Sequence, residues 1–407
     1  MPLLDYSFLS KISAKAKIKK DFRKAKLSYL NRVRLATSLF FFGMGFCFAT
    51  WASRIPDIKS ILHLSEAGLG TLLFILPIGQ LVSMPFSGKI VTKFGSRTIS
   101  IIGILLYSFS LILLGLATEK WQLALGLFLF GFFANFCSIA VNTQGVYTQQ
   151  LFEKPIIGSF HGSWSLAGFF GALVSLLMLA LKIKPLQHFS FAFVLIALLV
   201  LFNYKFLINA KVKKQEKNAN YSFIKNPDIT LIWLGVICFC GMASEGIMFD
   251  WSGVYFKEIV KVPGALVVLG YTTFMISMAT GRFLSDFLAQ KYGNKKVLIA
   301  SGIVISAGLY LAVLFPYLVP CTIAFMLVGF GVSNVVPIIF NIAGNHEKVP
   351  TGIALTIVSS ISFMGFLIGP PLIGFIAEMT SLKYSFAIIG VFGIFISILV
   401  SRLKVFK

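Results

Sequence analysis

Charge is scarce in this sequence. Asp, Glu, Lys and Arg make up 12% of its 407 residues, where a soluble domain carries about 25%. So long a chain with so little charge is neither a soluble globular enzyme nor a disordered protein. Acidic residues are scarcer still, 14 against 36 basic ones. There are only five cysteines (Cys47, Cys137, Cys238, Cys240 and Cys321), and all lie inside apolar runs. None has a partner at metal-ligand spacing, which argues against a zinc module or a disulfide scaffold. They read as small packing residues. The histidines His63, His188 and His346 fall in polar segments expected to be loops, without a metal pattern. HExxH, P-loop and GxSxG motifs are missing, so no metal, cofactor, ATP drive or enzyme chemistry is expected.

Apolar residues are abundant instead, at 57% with 43 Phe, and mean hydropathy is +0.89. A membrane-spanning helix needs about 20 such residues. Runs of that kind start near Leu35, Gly68, Thr98, Trp121, Gly158 and Phe189. A second set starts near Ile229, Ala265, Val297, Leu318, Gly352 and Tyr384. The longest polar interruption, 210–228, falls almost at the midpoint. The expected fold class is therefore an all-α membrane protein of twelve transmembrane helices in two pseudo-symmetric six-helix bundles. Its parts are a basic N-tail (1–34), an N-terminal bundle (35–209), a linker (210–228) and a C-terminal bundle with a short tail (229–407).

An even number of spans puts both termini on one side. The loops and tails of that side hold 28 of the 36 Lys and Arg, and the other side holds 8. Positive charge collects on the cytoplasmic side, so both termini and the linker are expected there. The net charge of +22 then reports topology rather than a nucleic-acid partner. The N-tail, with basic residues from Lys11 to Arg34, either fixes that topology or rests on anionic lipid.

The two halves resemble each other at an offset near 199. Trp51 falls on Trp251, Gly95 on Gly293, and Asn142 on Asn341. Gly168 and Gly171 fall on Gly365 and Gly369. Such repeats are common in transporters, whose substrate site lies between the halves near mid-membrane.

Ionisable and amide groups inside apolar runs are costly and therefore mark candidate sites. Span 7 carries Glu245 and Asp250. Burial and a nearby cation pull a carboxyl in opposite directions, so such a group can exchange protons; a structural hydrogen bond is the other reading. Arg54 closes span 1, three residues after Trp51. By helix symmetry it pairs with Glu245 or Asp250 as an outer gate, holds an anionic substrate, or snorkels to the interface. Asn142 and Asn341 occupy one repeat position and are expected to face the cavity from opposite halves. His161 and Trp164 share one face at the start of span 5; an imidazole titrates near neutral pH and an indole can stack on a flat solute, unless both merely cap the span. Gly365, Gly369, Gly374 and Pro370-Pro371 predict a kink in span 11.

Two loops are punctuated by glycine and basic residues. One runs Gly88-Lys89-Ile90-Val91-Thr92-Lys93-Phe94-Gly95-Ser96-Arg97; the other contains Gly281-Arg282, Asp286 and Gly293. They resemble the cytoplasmic gating loops of the major facilitator superfamily, with Thr92 where that family usually has Asp. Trp51-Ala52-Ser53-Arg54-Ile55-Pro56, Phe160-His161 and Glu245 through Ser252 are similar to its YbjJ-like branch, related to fucose-type sugar–proton permeases. The resemblance covers about residues 35–405. It implies the two-bundle fold, transport by alternating access, and gating roles for Gly88, Gly95, Arg97, Asp286 and Gly293.

The expected function is secondary transport of a small polar organic solute, a sugar or sugar-containing metabolite first, coupled to protons. A monomer in a bacterial inner membrane is expected. The alternative is an efflux carrier for amphipathic compounds, for which Met44, Met242, Met248, Met275 and Met278 would supply an adaptable lining.

Overall fold

Apolar runs bounded by Gly, Pro, Ser and Asp become helices throughout. In the computed structural model, residues 6–152, 156–209, 228–344, 346, 349 and 351–406 are described. The linker expected at 210–228 lies outside them except for Asp228, as do residues 1–5 of the N-tail. The remainder of the tail is helical and runs into the first span as α1 (Tyr6–Ala52). A short α2 (Ile55–Ile61) completes that span.

The N-terminal half continues with α3 (Glu66–Phe94), α4 (Ser96–Leu116), α5 (Lys120–Gln149), α6 (Ile157–Ala180) and α7 (Pro185–Asn203). The C-terminal half comprises α8 (Ile229–Glu258), α9 (Leu269–Tyr292), α10 (Asn294–Leu314), α11 (Leu318–Gly344), α12 (Thr351–Met379) and α13 (Leu382–Arg402). Twelve of these segments are long and apolar enough to cross a membrane.

Local chemistry sets the ends. Ser65 accepts a hydrogen bond from the Gly68 N–H to open α3, and Asp228 accepts from Thr230 and Leu231 to open α8, satisfying donors that the first turn leaves free. Gly95 turns α3 into α4 at φ 85°, and Gly293 turns α9 into α10 at φ 82°. A side chain would strain the backbone at both places.

Helix pairing repeats between the halves. In the N-terminal half α1 packs on α6, α3 on α5, and α4 on α5 and α7. The same pattern recurs as α8 on α12, α9 on α11, and α10 on α11 and α13. The internal sequence repeat is thus a repeat of packing. The halves meet along α3–α12 and α6–α9.

The first span and α8 are the most enclosed, with 72% of their apolar windows buried against 28% for α7. Phe191, Leu198, Leu201 and Phe202 on α7 stay exposed, as expected of a lipid-facing surface. α12 remains one helical element through Pro370 and Pro371. Gly374 serves close approach: a Cβ there would lie 3.0 Å from the Cα of Gly70 on α3, in the other half.

Candidate functional site: a cavity between the two halves

A cavity of about 510 Å³ lies between the bundles. Its polar lining comes from α3 (Gln80), α5 (Asn135, Ser138, Asn142), α6 (His161), α8 (Glu245, Asp250) and α9 (Arg282). Phe41, Phe48, Trp164, Phe249 and Phe366 supply apolar wall. The rings of Phe48, Trp164 and Phe249 form a cluster with centroids 5.1 to 6.3 Å apart, drawn from both halves.

Arg282 organises the charge. Its Nη2 donates to Glu245 Oε1 at 2.7 Å, and its Nη1 donates to Ser165 Oγ on α6 at 3.0 Å. The guanidinium therefore ties α8 and α9 to the opposite half. Glu245 is 4% exposed, and an unpaired carboxylate at that burial would cost several kcal/mol, on the order of a lost buried ion pair. Asp250 is half-buried and has no hydrogen-bond or ion-pair partner among the described residues.

Asn142 donates from Nδ2 to the Ser138 carbonyl at 2.8 Å and to its hydroxyl at 3.2 Å. Both bonds stay within α5, and the residue lines the cavity. His161 meets Phe41 edge-on at 5.2 Å. Asn341 lies near the end of α11, exposed and outside the cavity lining, so the amide pair expected from the repeat is not brought together.

Arg54 requires a correction. It contacts neither Glu245 nor Asp250 and is 1% exposed, which also removes the snorkelling reading. Its Nη1 pairs with Asp57 at 2.6 Å, its Nε donates to His188 Nδ1 at 3.1 Å, and its Nη2 donates to the Ile183 carbonyl at 2.9 Å. His188 sits buried in the first turn of α7 rather than in a loop. These bonds staple the first span to the start of α7 inside one half. Trp51 is likewise buried, 6.4 Å from the Phe130 ring, and lies outside the cavity lining.

Of the loop candidates, Gly95 and Gly293 occupy matched turns, and Gly88 lies within α3. The Arg97 guanidinium rests 5.9 Å from the Tyr204 ring centroid. Asp286 lies on α9, with its side chain outside the described set. All five cysteines are buried and unbridged. Among the described residues no His, Cys, Asp or Glu cluster has the arrangement of a metal site.

Charges that the apolar runs do not single out close the face opposite the termini. Lys59 pairs with Glu66 at 2.9 Å and with Glu258 of the other half. Lys257 donates to the Pro56 carbonyl at 3.1 Å and to the Ser60 hydroxyl. The backbone N–H of Ala67 donates to Glu378 at 3.1 Å. A usable signal was present: Lys59 and Glu258 stand 199 residues apart, the offset of the repeat.

The cavity, the paired halves and the closed far face can be set beside known proteins. A family profile described as Major Facilitator Superfamily matches residues 35–346 and 234–405. A protein of Yersinia pestis, described as an uncharacterized MFS-type transporter, is 32% identical over 357 residues, covering 88% of this chain and 92% of its own. Membrane protein MosC of Rhizobium meliloti is 30% identical over 367 residues, covering 89% and 88%. Among solved structures, a mutant form of the nucleoside transporter NupG superposes with a TM-score of 0.77 at 14% identity, covering 92% of this chain and all of the other.

Proposed function

The chain belongs to the major facilitator superfamily, and from that premise we propose that it is a proton-coupled secondary transporter of a small polar organic solute. A sugar or sugar-containing metabolite suits the lining best: Gln80, Asn135 and Asn142 offer amides, and Trp164 offers a ring face. The observation that carries the reading is the Glu245–Arg282–Ser165 bridge at the wall of a cavity shared by both halves. Loss of the Glu245 charge would free Arg282 from its partner within its own half and leave Ser165, across the cavity, as its hydrogen-bond partner. The charge on Glu245 would thereby bear on how firmly the halves are tied, the link that coupled alternating access needs.

The charge asymmetry of the loops supports a cytoplasmic position for both termini. On that assignment the face closed by Lys59 and Glu258 is the outer one. Bacterial relatives support an inner-membrane location, and the motifs around Trp51, His161 and Glu245 support the YbjJ-like branch and its link to sugar–proton permeases. A monomer contains both halves of the cavity.

The test uses purified protein in proteoliposomes and a panel of labelled metabolites. Glu245→Gln is expected to keep solute-for-solute exchange and lose accumulation driven by a proton gradient. Proton-driven accumulation by the variant would reject the role. Met44, Met84 and Met242 also line the cavity and favour a second reading, export of amphipathic compounds. Competition by lipophilic compounds but not by sugars would select it.

A further inference from the structure

Glu245 and Asp250 both line the cavity from α8, yet their charge is balanced differently. Glu245 has Arg282 at 2.7 Å. Asp250 has no hydrogen-bond or ion-pair partner among the described residues, and the cavity lining offers no cation besides Arg282 and the imidazole of His161. Arg282 is already spent on Glu245 and Ser165. A carboxylate with no counter-charge at membrane depth must take up a proton or a cation.

Its surroundings favour an organic cation. Phe48 and Trp164 line the cavity partly buried and offer ring faces there, while Phe249, next to Asp250 in sequence, is packed beneath them and stacks on Phe366 at 6.1 Å. Aromatic faces attract ammonium groups through their quadrupole, more strongly where water is excluded. A carboxylate adds a charge-assisted hydrogen bond, about twice as strong as a neutral one. The amides of Asn135 and Asn142 lie on a different helix, α5, of the other half. The cavity thus sets amides of one half opposite a carboxylate of the other, beside rings drawn from both.

Resting on the transport reading above, we propose that Asp250 receives a protonated amine, so that the substrate class is an amine-bearing polar ring compound rather than a neutral sugar. Glu245 with Arg282 then serves the movement of the halves, and Asp250 serves recognition.

Matched probes test this on the purified full-length transporter, by isothermal titration and by uptake into proteoliposomes: glucosamine, N-acetylglucosamine and glucose, and the corresponding galactose series. The free amines are expected to bind at least about tenfold tighter than their acetylated and neutral counterparts. Asp250→Asn is expected to abolish that preference, and Asp250→Glu to retain part of it. Equal binding of amine, amide and alcohol in the unmodified protein overturns the proposal without using any variant. So does an amine preference that survives in Asp250→Asn. If neutral sugars bind and are carried while amines gain nothing, the transport reading stands and this inference falls. If no member of either series binds or is carried, this inference falls, and the transport reading is decided by the metabolite panel.

Discussion

Replacing Lys59 by Met tests whether the far face is held shut by charge. Lys59 is the ammonium shared by Glu66 of its own half and Glu258 of the other. Its side chain is 10% exposed, while the two carboxylates are 27% and 31% exposed. Such pairs fall between exposed ones, worth about 0–1 kcal/mol, and buried ones, whose disruption costs about 3–5 kcal/mol. We take about 1 kcal/mol for the lost pair between halves, and about the same for two carboxylates left facing each other without their cation. Both terms act only while the face is closed. A shift of about 2 kcal/mol changes the ratio of closed to open forms by about 30-fold.

Spin labels at Ile61→Cys and Met379→Cys report that ratio. They sit on opposite halves, are 53% and 84% exposed, and the five native cysteines are buried. Electron–electron distance measurements are expected to gain a long component in Lys59→Met. Glu258→Gln is expected to do less, because it removes the repulsion along with the pair. High salt should move the unmodified protein in the same direction, since partly exposed charges are screened. An unchanged distance distribution in Lys59→Met would refute the reasoning.

Gly374→Val places a branched side chain where α3 and α12 approach through Gly70; the same labels are expected to show the open form predominating, and an unaltered distribution would mean that the crossing can yield. Arg54→Met leaves Asp57 without its cation and His188 without its donor, at a cost of about 3 kcal/mol. It is expected to lower the melting temperature of the detergent-solubilised protein while leaving the solute preference of any folded fraction intact; a changed preference would put Arg54 back in the binding site. Ser165→Ala removes the acceptor that the N-terminal half offers Arg282, worth about 1 kcal/mol. A several-fold change in exchange rate without a change in melting temperature is expected, and identical rates would show that this bond does not bias the halves.

Spans, halves and repeat were legible because hydrocarbon imposes length and apolarity on each segment separately. Glu245 and Asp250 were legible for a related reason: an acid in an apolar run stands out whatever it touches. Their partners were not. Arg282 was read as part of a loop motif, and only the packing of α9 against α8 and α6 brings it to Glu245 and Ser165. Arg54 misled because the symmetry of the first span with α8 suggested a partner in the other half, whereas the entry of α7 offers it an imidazole and a free carbonyl inside its own half. Asn341 shows the limit of repeat logic. Two residues share a repeat position, yet a cavity with different groups on its two sides uses only Asn142.

The pairing of Lys59 with Glu258 also governs which halves can assemble. Residues one repeat apart that touch must lie near the axis relating the halves, where each position meets its own counterpart. A particle made of two N-terminal halves would bring one Lys59 against a second Lys59; one made of two C-terminal halves would oppose Glu258 to Glu258. Like charges would meet at the axis in both, whereas the mixed assembly sets Lys59 against a carboxylate of the other half. Separately expressed halves of this transporter should therefore find each other rather than themselves, with the divergence of one symmetric position acting as the mating code.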